Sequence, residues 1–235
     1  MRYLALATDY DGTLAHDGAV DAPTLAALIR LRASGRKLIL VTGRILDDLL
    51  RAFLQVALFD RIVAENGALL YRPATGEEVP LGDRPPDSFV AALRARGVSP
   101  LAVGRVIVAT DEPYEQVVLD TIRAQRLALQ VILNKGAVMV LPAGIDKASG
   151  LVAALAELDL APQQAVGVGD AENDQALLMV CGRGVAVANA LPALEQHADL
   201  VTAAGYGAGV AELIDHMIRD DLATLERRSS SRATS

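Results

Sequence analysis

The chain has 235 residues, of which 52% are hydrophobic and 22% are charged, and its formal net charge is -7. This composition can bury one large core, or a core with a small second unit, and it excludes an intrinsically disordered chain. The negative charge and the aromatic content of 3% argue against a nucleic-acid partner, because phosphate backbones attract clustered Lys and Arg and bases stack on aromatic rings.

Cysteine usage and the N-terminal sequence bear on the cellular compartment. Cys181 is the single cysteine, so no intramolecular disulfide can form, and the first residues lack the features of a signal peptide. The apolar runs are strand-sized and shorter than the roughly 20 residues of a membrane-spanning helix. We therefore expect a cytoplasmic protein without a membrane partner. The sequence does not indicate an oligomeric state.

The first part of the chain alternates between strand and helix patterns. Residues 3–8 and 37–41 are short apolar runs, typical of strands that are buried on both faces. Between them, residues 21–35 begin with capping residues and a proline and end in glycine, which predicts a helix. The pattern repeats with a helix at 45–55 and a strand at 61–66. This order predicts an α/β fold with a Rossmann-like, doubly wound parallel sheet.

From about Tyr71 the composition changes. Residues 71–88 are rich in Pro, Gly and charge, which indicates a departure from the core. We expect a small inserted α/β domain over residues 72–142. Its predicted elements are helices at 88–97 and 115–127 and strands at 104–110, 129–133 and 137–142, the last two joined as a hairpin through "NKG".

The alternation resumes after the insertion. We expect residues 1–71 and 143–225 to form one discontinuous core domain, and residues 226–235, a polar tail with nothing to bury, to be disordered. The predicted elements are helices at 144–160, 171–180, 191–198 and 208–226 and strands at 165–170, 184–189 and 200–202.

Polar residues follow three of the predicted strands, at the edge where the carboxyl ends of parallel strands line a ligand crevice. Several carboxylates gathered there would repel one another and raise one another's pKa, unless a cation neutralised them. Oxygen ligands without a neighbouring Cys or His pair favour Mg²⁺ over zinc. The residues concerned are Asp9 and Asp11 after the first strand, Thr42 and Gly43 after the second, and Asp170 and Asp174 after a later strand.

Each of these motifs also has a purely structural interpretation. The D-x-D-G sequence at residues 9–12 is common in turns, Thr42 could cap the following helix, and Asp174 could be an acid favoured in the first turn of a helix. A calcium-binding loop is excluded, because it needs Gly at its sixth position and Glu at its twelfth, and neither Asp9 nor Asp170 is followed by that pattern.

Lys147 has the weakest structural explanation. It directly follows Asp146, the predicted N-cap of a helix, where the helix dipole disfavours a cation by about several tenths of a kcal/mol. A phosphoryl group held in the acidic crevice would favour an ammonium group at this position. An ordinary solvated lysine is the alternative.

Taken in order along the chain, "DYDGTL", "VTGR", the lone Lys147 and "GDAENDQALL" resemble the four motifs of the haloacid dehalogenase (HAD) superfamily of phosphatases. The insertion between the second and third motifs, together with "AENGA" and "GIDKASGL", resembles the Cof-type subgroup with a type IIB cap. The resemblance spans essentially the whole chain. The modest cap and the total length are similar to those of archaeal-type phosphoglycolate phosphatases and of sucrose-phosphatase-like members.

The resemblance implies a role for each motif residue. Asp9 would be the nucleophile that becomes an aspartyl phosphate, and Asp11 would protonate the leaving group and then activate water. Phosphoryl oxygens would be held by Thr42, Gly43 and Lys147, and Asn173 would orient a ligand or a phosphoryl oxygen. Mg²⁺ would be the cofactor, held by Asp9, by the backbone carbonyl at the Asp11 position and by Asp170, with Asp174 completing or orienting the coordination.

The expected function is that of a Mg²⁺-dependent phosphatase acting on a small phosphorylated metabolite, with phosphoglycolate favoured and sugar phosphates next. The acid at Asp11 indicates phosphate esters, because dehalogenases of the superfamily lack it. Two alternatives stay open. One is phosphoryl transfer between sugar positions, as in phosphomannomutases, and the other is a phosphate-binding or interaction module without turnover.

Overall fold

The computed structural model describes residues 1–225; the predicted disordered tail at 226–235 lies outside the described residues. No helix in the described part of the chain is long and apolar enough to cross a membrane. The strands are β1 (Ala5–Thr8), β2 (Lys37–Val41), β3 (Arg61–Ala64), β4 (Leu69–Arg72), β5 (Glu77–Pro80), β6 (Ala102–Val103), β7 (Val108–Asp111), β8 (Leu129–Asn134), β9 (Ala137–Pro142), β10 (Ala165–Gly169), β11 (Arg183–Ala186) and β12 (Leu200–Val201). The helices are α1 (Ala22–Ala33), α2 (Leu46–Ala52), α3 (Asp87–Ala95), α4 (Glu115–Gln125), α5 (Lys147–Ala156), α6 (Gln175–Val180), α7 (Pro192–Glu195) and α8 (Tyr206–Asp220).

The larger sheet has eight strands in the order β12-β11-β10-β1-β2-β3-β4-β5. The six strands from β12 to β3 are parallel, and β1 pairs with β2 on one side and with β10 on the other. The strand order therefore reverses beside β1. In an open α/β sheet, ligands bind at the carboxyl ends of the strands where the order reverses. The predicted fold class, a Rossmann-like α/β fold built on a parallel sheet, is confirmed.

Helices cover both faces of this sheet, which explains the continuous apolar runs of its central strands. One apolar cluster joins α1 and α8 to one face, and a second joins α5 and α6 to the other. Helix α1 begins as the sequence predicts, because the Asp21 side chain accepts a hydrogen bond from the backbone N of Thr24 and a proline occupies the first turn.

The edge of the sheet beyond β3 differs from the sequence prediction. Residues 71–88 were predicted to depart from the core, but β4 and β5 continue the larger sheet in antiparallel pairing. Strand β5 carries two glutamates and is largely exposed, as edge strands often are, so it lacks the apolar run that indicates a buried strand. The division of the chain into domains stays a prediction, and the strand pairing fits a boundary after β5 better than one at residue 72.

The second sheet has four antiparallel strands in the order β6-β7-β9-β8. Helices α3 and α4 pack on one of its faces, where Phe89, Leu93, Val118 and Val140 are buried in a common cluster. The predicted hairpin forms, with Asn134 paired to Ala137 across the turn. The predicted strand at 104–110 was placed too early, because β7 starts at residue 108 and the preceding loop is bound to the larger sheet.

Candidate active site

Two carboxylates flank the point where the strand order reverses. Asp9 follows β1 and its backbone N donates to the carbonyl oxygen of Val168 in β10, while Asp170 follows β10 itself. Both carboxylate side chains are buried. Buried carboxylates need partners that offset the loss of hydration. The site is therefore built from whatever reaches these two acids.

Lys147 supplies one partner. It is the first residue of α5, whose N-cap Asp146 forms a reciprocal capping box with Ser149, as the sequence predicts for that N-cap. The ammonium group of Lys147 lies 2.6 Å from Oδ1 of Asp9 and 2.6 Å from Oδ1 of Asp174, and its side chain is 1% exposed. The alternative of a solvated lysine is therefore wrong.

Asp174 lies in a short 3-10 turn, Glu172–Asp174, just before α6. Its Oδ1 accepts from Lys147, and its Oδ2 accepts from the backbone N of Asp170 and of Ala171. Both of its oxygens are thus bound by the protein. Asp174 does lie in a first helical turn, as the structural interpretation expects, but it is also fully buried and bound to Lys147.

Asp170 has two different partners. Its Oδ1 accepts a 2.9 Å hydrogen bond from the Thr13 hydroxyl, and its Oδ2 lies 2.5 Å from the ammonium group of Lys135. Lys135 is the turn residue of the β8–β9 hairpin, so this ion pair connects the second sheet to the larger one. A Cβ atom at Gly12 would lie 2.4 Å from Oδ2 of Asp170, and only glycine leaves room for this contact.

The charges of this cluster do not balance within the protein. Asp9, Asp170 and Asp174 offer oxygens that lie within 4.8 Å of one another, and two lysines face them. Burial raises the pKa of Asp9 and of Asp170, and the neighbouring lysines oppose this shift. Burial alone would lower the pKa of Lys147, but the charges of Asp174 and Asp9 outweigh it and the pKa is raised, so the ammonium stays charged. One further cation would stabilise all three ionised carboxylates.

Asp11 lies at the mouth of the site and is about half exposed. Its two oxygens each accept a 2.6 Å hydrogen bond from Arg44, and the guanidinium of Arg44 lies over the Tyr10 ring. The Asp11 carboxylate is not among the clustered oxygens of the other three acids. Arg44 belongs to the "VTGR" motif and has no predicted role, although it directly follows the predicted site residues Thr42 and Gly43.

The remaining predicted residues lie beside the acids. Gly43 lines the cavity, whereas the Thr42 hydroxyl accepts a hydrogen bond from the backbone N of Arg44 and does not cap α2. Asn173 donates to the side-chain oxygen of Asn66, a buried residue of "AENGA". The Asn173 oxygen Oδ1 and the Asn66 nitrogen Nδ2 are buried and have no hydrogen-bond partner within residues 1–225.

A cavity of about 180 Å³ lies between the larger sheet and the second sheet at this site. It is lined from the larger sheet by residues that include Asp9, Asp11, Gly43 and Lys147, and from the second sheet by Asn134, Ala137 and Met139. A larger cavity of about 340 Å³ near His16 and Tyr206 contains none of the clustered acids, so size alone would misplace the site. The sequence predicts "NKG", residues 134–136, as a hairpin turn, but it does not predict that Asn134, Ala137 and Met139 line the site.

Sequence comparison yields a family and relatives. A family model for haloacid dehalogenase-like hydrolases matches residues 6–82 and 101–214, which is more than half of the chain. A phosphoglycolate phosphatase of Natronomonas pharaonis is 33% identical over 224 residues, covering 89% of this chain and 96% of the relative. A phosphoglycolate phosphatase of Haloarcula marismortui is 31% identical over 221 residues, covering 89% of this chain and 95% of the relative.

Structural comparison finds the same fold. A solved sugar phosphatase of HAD subclass IIB superimposes with a TM-score of 0.73 at 20% identity, covering 91% of this chain and 98% of that structure. At this identity, the likeness concerns the fold alone.

Proposed function

The chain belongs to the haloacid dehalogenase-like hydrolases, and from that premise we propose that it is a Mg²⁺-dependent phosphatase. Its substrate would be a small phosphomonoester, with 2-phosphoglycolate as the first candidate. One observation supports the proposal most: Lys147, wholly buried, joins Asp9 to Asp174 beside Asp170 at the carboxyl edge of the parallel sheet. A buried cluster of this composition has a net negative charge. A divalent cation would offset that charge and would allow a phosphoryl group to bind beside the acids.

The donor set fits Mg²⁺. The ion prefers oxygen ligands, and Asp9 and Asp170 each have an oxygen available to it. Oδ2 of Asp9 has no hydrogen-bond donor within residues 1–225, and Oδ2 of Asp170 is held only by Lys135. Asp174 uses both oxygens within the protein, so of its two expected roles we assign it that of orienting the site. When bound, the ion would supply positive charge that keeps the carboxylates ionised and offsets the charge of a phosphoryl group.

Asp9 would act as the nucleophile. A carboxylate oxygen forms the bond to phosphorus as the bond to the ester oxygen breaks, which yields an aspartyl phosphate and an alcohol. Asp11 would donate the proton that the departing alkoxide takes up, and would then accept a proton from the water that attacks the aspartyl phosphate. Asp11 is about half exposed, and its pair with Arg44 would have to open for the carboxyl group to take up from solvent the proton that it then donates.

Lys147 would hold a phosphoryl oxygen as well as the two acids. An ammonium group has three donors, and only two of them face Asp9 and Asp174. The backbone of Gly43, which lines the cavity, and the Thr42 segment would contribute further donors. The buried Asn173 oxygen that lacks a partner supports a role for that side chain in orienting a ligand.

Two observations support phosphoglycolate as the proposed substrate: the relatives and the size of the cavity. The curated relatives are phosphoglycolate phosphatases, and the cavity of about 180 Å³ is smaller than the roughly 300 Å³ or more of typical small-molecule sites. We also propose that the second sheet acts as a cap, because its Asn134, Ala137 and Met139 close the cavity over the acids. Both points favour a substrate with few carbon atoms.

A substrate panel tests this proposal. The purified chain is incubated with Mg²⁺ and phosphorylated acids, sugars and nucleotides, and both released phosphate and remaining esters are quantified. We expect phosphate release, greatest with 2-phosphoglycolate and dependent on Mg²⁺. An isomerised sugar phosphate without free phosphate would indicate phosphoryl transfer instead, and binding of esters without turnover would indicate a phosphate-binding module.

A further inference from the structure

Lys135 is the one cation that the second sheet extends into the acidic cluster. Its ammonium group contacts Oδ2 of Asp170, a residue that lines the cavity, and the Lys135 side chain is 45% exposed. The chain contains three lysines, Lys37, Lys135 and Lys147, within 22 Lys and Arg residues. Two of these three lysines meet at one group of acids. An arginine-rich chain thus places compact ammonium groups at this site in particular.

The backbone at Lys135 is in an unfavourable conformation for its residue type. Lys135 and Gly136 have φ angles of 47° and 84°, the pair of positive values found in a two-residue type I′ hairpin turn. Such turns favour Gly, which has no Cβ, or Asn and Asp, which form local hydrogen bonds; for other residues the contact of Cβ with the following carbonyl oxygen costs roughly 1 kcal/mol or more. A residue that departs from the local preference indicates a role for its side chain.

Asp170, the partner of Lys135, would no longer be free to pair with it once a metal cation is bound at the same carboxylate. Thr13, fully buried, holds Oδ1 of Asp170, so Oδ2 is the oxygen that the flexible lysine can release. A cation held by Asp170 would then lie beside an ammonium group of the same sign. Lys135 would need another anion within reach of the cavity mouth.

The surroundings of the cavity restrict what that anion can be. The second sheet lines the cavity with Asn134, Ala137 and Met139, of which Asn134 alone is polar and none is charged. Arg44, the other cation at the mouth, is already paired through two hydrogen bonds with Asp11. Lys135, half-exposed beside the lining residue Asp170, is thus the cation available to a second acidic group on the substrate.

We propose that Lys135 binds a carboxylate that the substrate carries beside its phosphoryl group. This contact selects phosphorylated carboxylic acids over phosphomonoesters that have no carboxylate. The inference deepens the proposed function and rests on it. It names Lys135 as the residue that determines specificity. Hydrogen bonds between ammonium and carboxylate groups are among the stronger ones in proteins, so the loss of this contact is expected to be measurable.

A binding experiment tests the contact without turnover. The probes are 3-phosphonopropionate, a non-hydrolysable analogue of 2-phosphoglycolate, and 3-hydroxypropylphosphonate, which has a neutral hydroxymethyl group in place of the carboxylate. Binding of each is measured by calorimetry in Mg²⁺ to the wild type, to Lys135→Met and to Lys135→Arg. We expect the wild type to prefer the acid by about tenfold or more, Lys135→Met to bind both equally, and Lys135→Arg to retain part of the preference.

The matched control is Lys37→Met. Lys37 is 44% exposed and pairs with Asp60 at the opposite edge of the sheet, so its exposure and ion pairing resemble those of Lys135. This variant should keep the wild-type preference. Thermal unfolding of each variant reports whether the chain is folded. A wild-type preference for the acid that survives in Lys135→Met would overturn the proposal.

Steady-state kinetics separates this inference from the proposed function. With 2-phosphoglycolate, Lys135→Met should raise KM by about tenfold, and the ratio of kcat/KM for 2-phosphoglycolate to kcat/KM for 2-hydroxyethyl phosphate should fall by about the same factor. If the wild type hydrolyses both esters with equal kcat/KM, the proposed function stands and the inference fails. If it hydrolyses no ester at all, the proposed function itself fails.

Discussion

The position of Lys147 shows how one residue organises the candidate site. The start of a helix disfavours a cation, and full burial of an ammonium group is costlier still. Asp9 and Asp174, each 2.6 Å away, offset both effects. The position of the lysine therefore depends on the two acids, and loss of Lys147 would remove the ion pair from two buried carboxylates at once.

The two acids of "DYDGTL" should differ when each is replaced by its amide. Asp9→Asn removes the proposed nucleophile, and we expect turnover to fall by about a thousandfold or more with no aspartyl phosphate. Asp11→Asn keeps the nucleophile, and we expect slow phosphorylation of Asp9 followed by slow hydrolysis. Trapping the phosphorylated protein after acid quench, with phosphate release measured in parallel, distinguishes the two variants.

Asp48→Asn serves as the control, because Asp48 lies on α2 and pairs with Arg51 on the surface. It should keep wild-type turnover. Substantial activity in Asp9→Asn would show that another group attacks phosphorus.

Several site residues could be predicted from the sequence because each lies next to a recognisable element. Asp9, Asp170 and Asp174 follow apolar strands, and Lys147 follows a helix cap. Lys135 could not be placed, since its contact with Asp170 depends on how a hairpin 35 residues away packs against the larger sheet. A lysine at a turn position that favours Asn or Gly was the one feature of the sequence that indicated a role for Lys135.

At the level of elements, a buried glutamate attaches the loop between β6 and β7 to the larger sheet. Glu65 follows β3 and is fully buried, and its carboxylate accepts hydrogen bonds from the backbone N of Arg105, Val106 and Ile107 at 2.7 to 2.9 Å. A Cβ atom at Gly104 would lie 2.5 Å from that carboxylate. The loop is therefore shaped around one side chain of the other sheet.

We expect Glu65→Gln to loosen this attachment, because an amide NH₂ group would face backbone donors that need an acceptor. The free energy of unfolding should fall by roughly 2 kcal/mol or more. Hydrogen exchange of the amides at residues 105–107 should accelerate more than exchange in β1 and β10. Glu78→Gln is the control, since Glu78 contacts only the side chain of Arg105 at the partly exposed rim, and its effect should stay within about 1 kcal/mol. Unchanged exchange at 105–107 in Glu65→Gln would contradict the assignment.

A second glutamate, Glu157, is expected to make the stability of the chain depend on pH through its ion pairs at the end of α5. Glu157 caps the C-terminal end of α5 and accepts hydrogen bonds from Arg72 and Arg61, which lower its pKa from 4.5 to about 2. A carboxyl whose pKa is lower in the folded chain stabilises it above the unfolded value, and that contribution is lost as the pH falls from about 4.5 towards 2. Glu157→Gln should thus destabilise the chain more at pH 6 than at pH 3.

Urea unfolding at the two pH values measures this dependence, with the exposed Glu112→Gln as the control. A destabilisation by Glu157→Gln that is equal at both pH values would show that the ion pairs do not contribute through the charge of Glu157.

The elements differed in how well the sequence predicted them. Buried parallel strands such as β2 and β10 have continuous apolar runs and were placed closely. The edge strand β5 was missed because its residues are charged and exposed. The start of β7 was misplaced because Val106 and Ile107 are apolar but lie in the loop bound to Glu65, where tertiary contacts override β-propensity.

For the whole molecule, the larger sheet brings together segments that lie far apart in the chain. β1 pairs with β10 across roughly 160 residues, and the second sheet is formed between them. The resemblance to the haloacid dehalogenase phosphatases, which rests on four motifs, is confirmed by the family match and by the relatives that are phosphoglycolate phosphatases, and the fold is shared with a solved sugar phosphatase. Each motif taken alone also had a structural interpretation. The four motifs in this order indicate the family, because their order along the chain is fixed by the order in which the strands of the sheet are formed.

The cluster of acids at the strand-order reversal should make the stability of the whole chain depend on a divalent cation. Mg²⁺ at 100 times its dissociation constant would add about 2.7 kcal/mol, which for a chain of this size raises Tm by roughly 5 to 10 °C. Asp170→Asn should abolish most of this increase, because it removes a charge from the site. Differential scanning calorimetry with and without Mg²⁺ measures the shift. Asp60→Asn, which removes a carboxylate at the opposite edge of the same sheet, should retain it. A full Mg²⁺-induced shift in Asp170→Asn would place the ion elsewhere on the molecule.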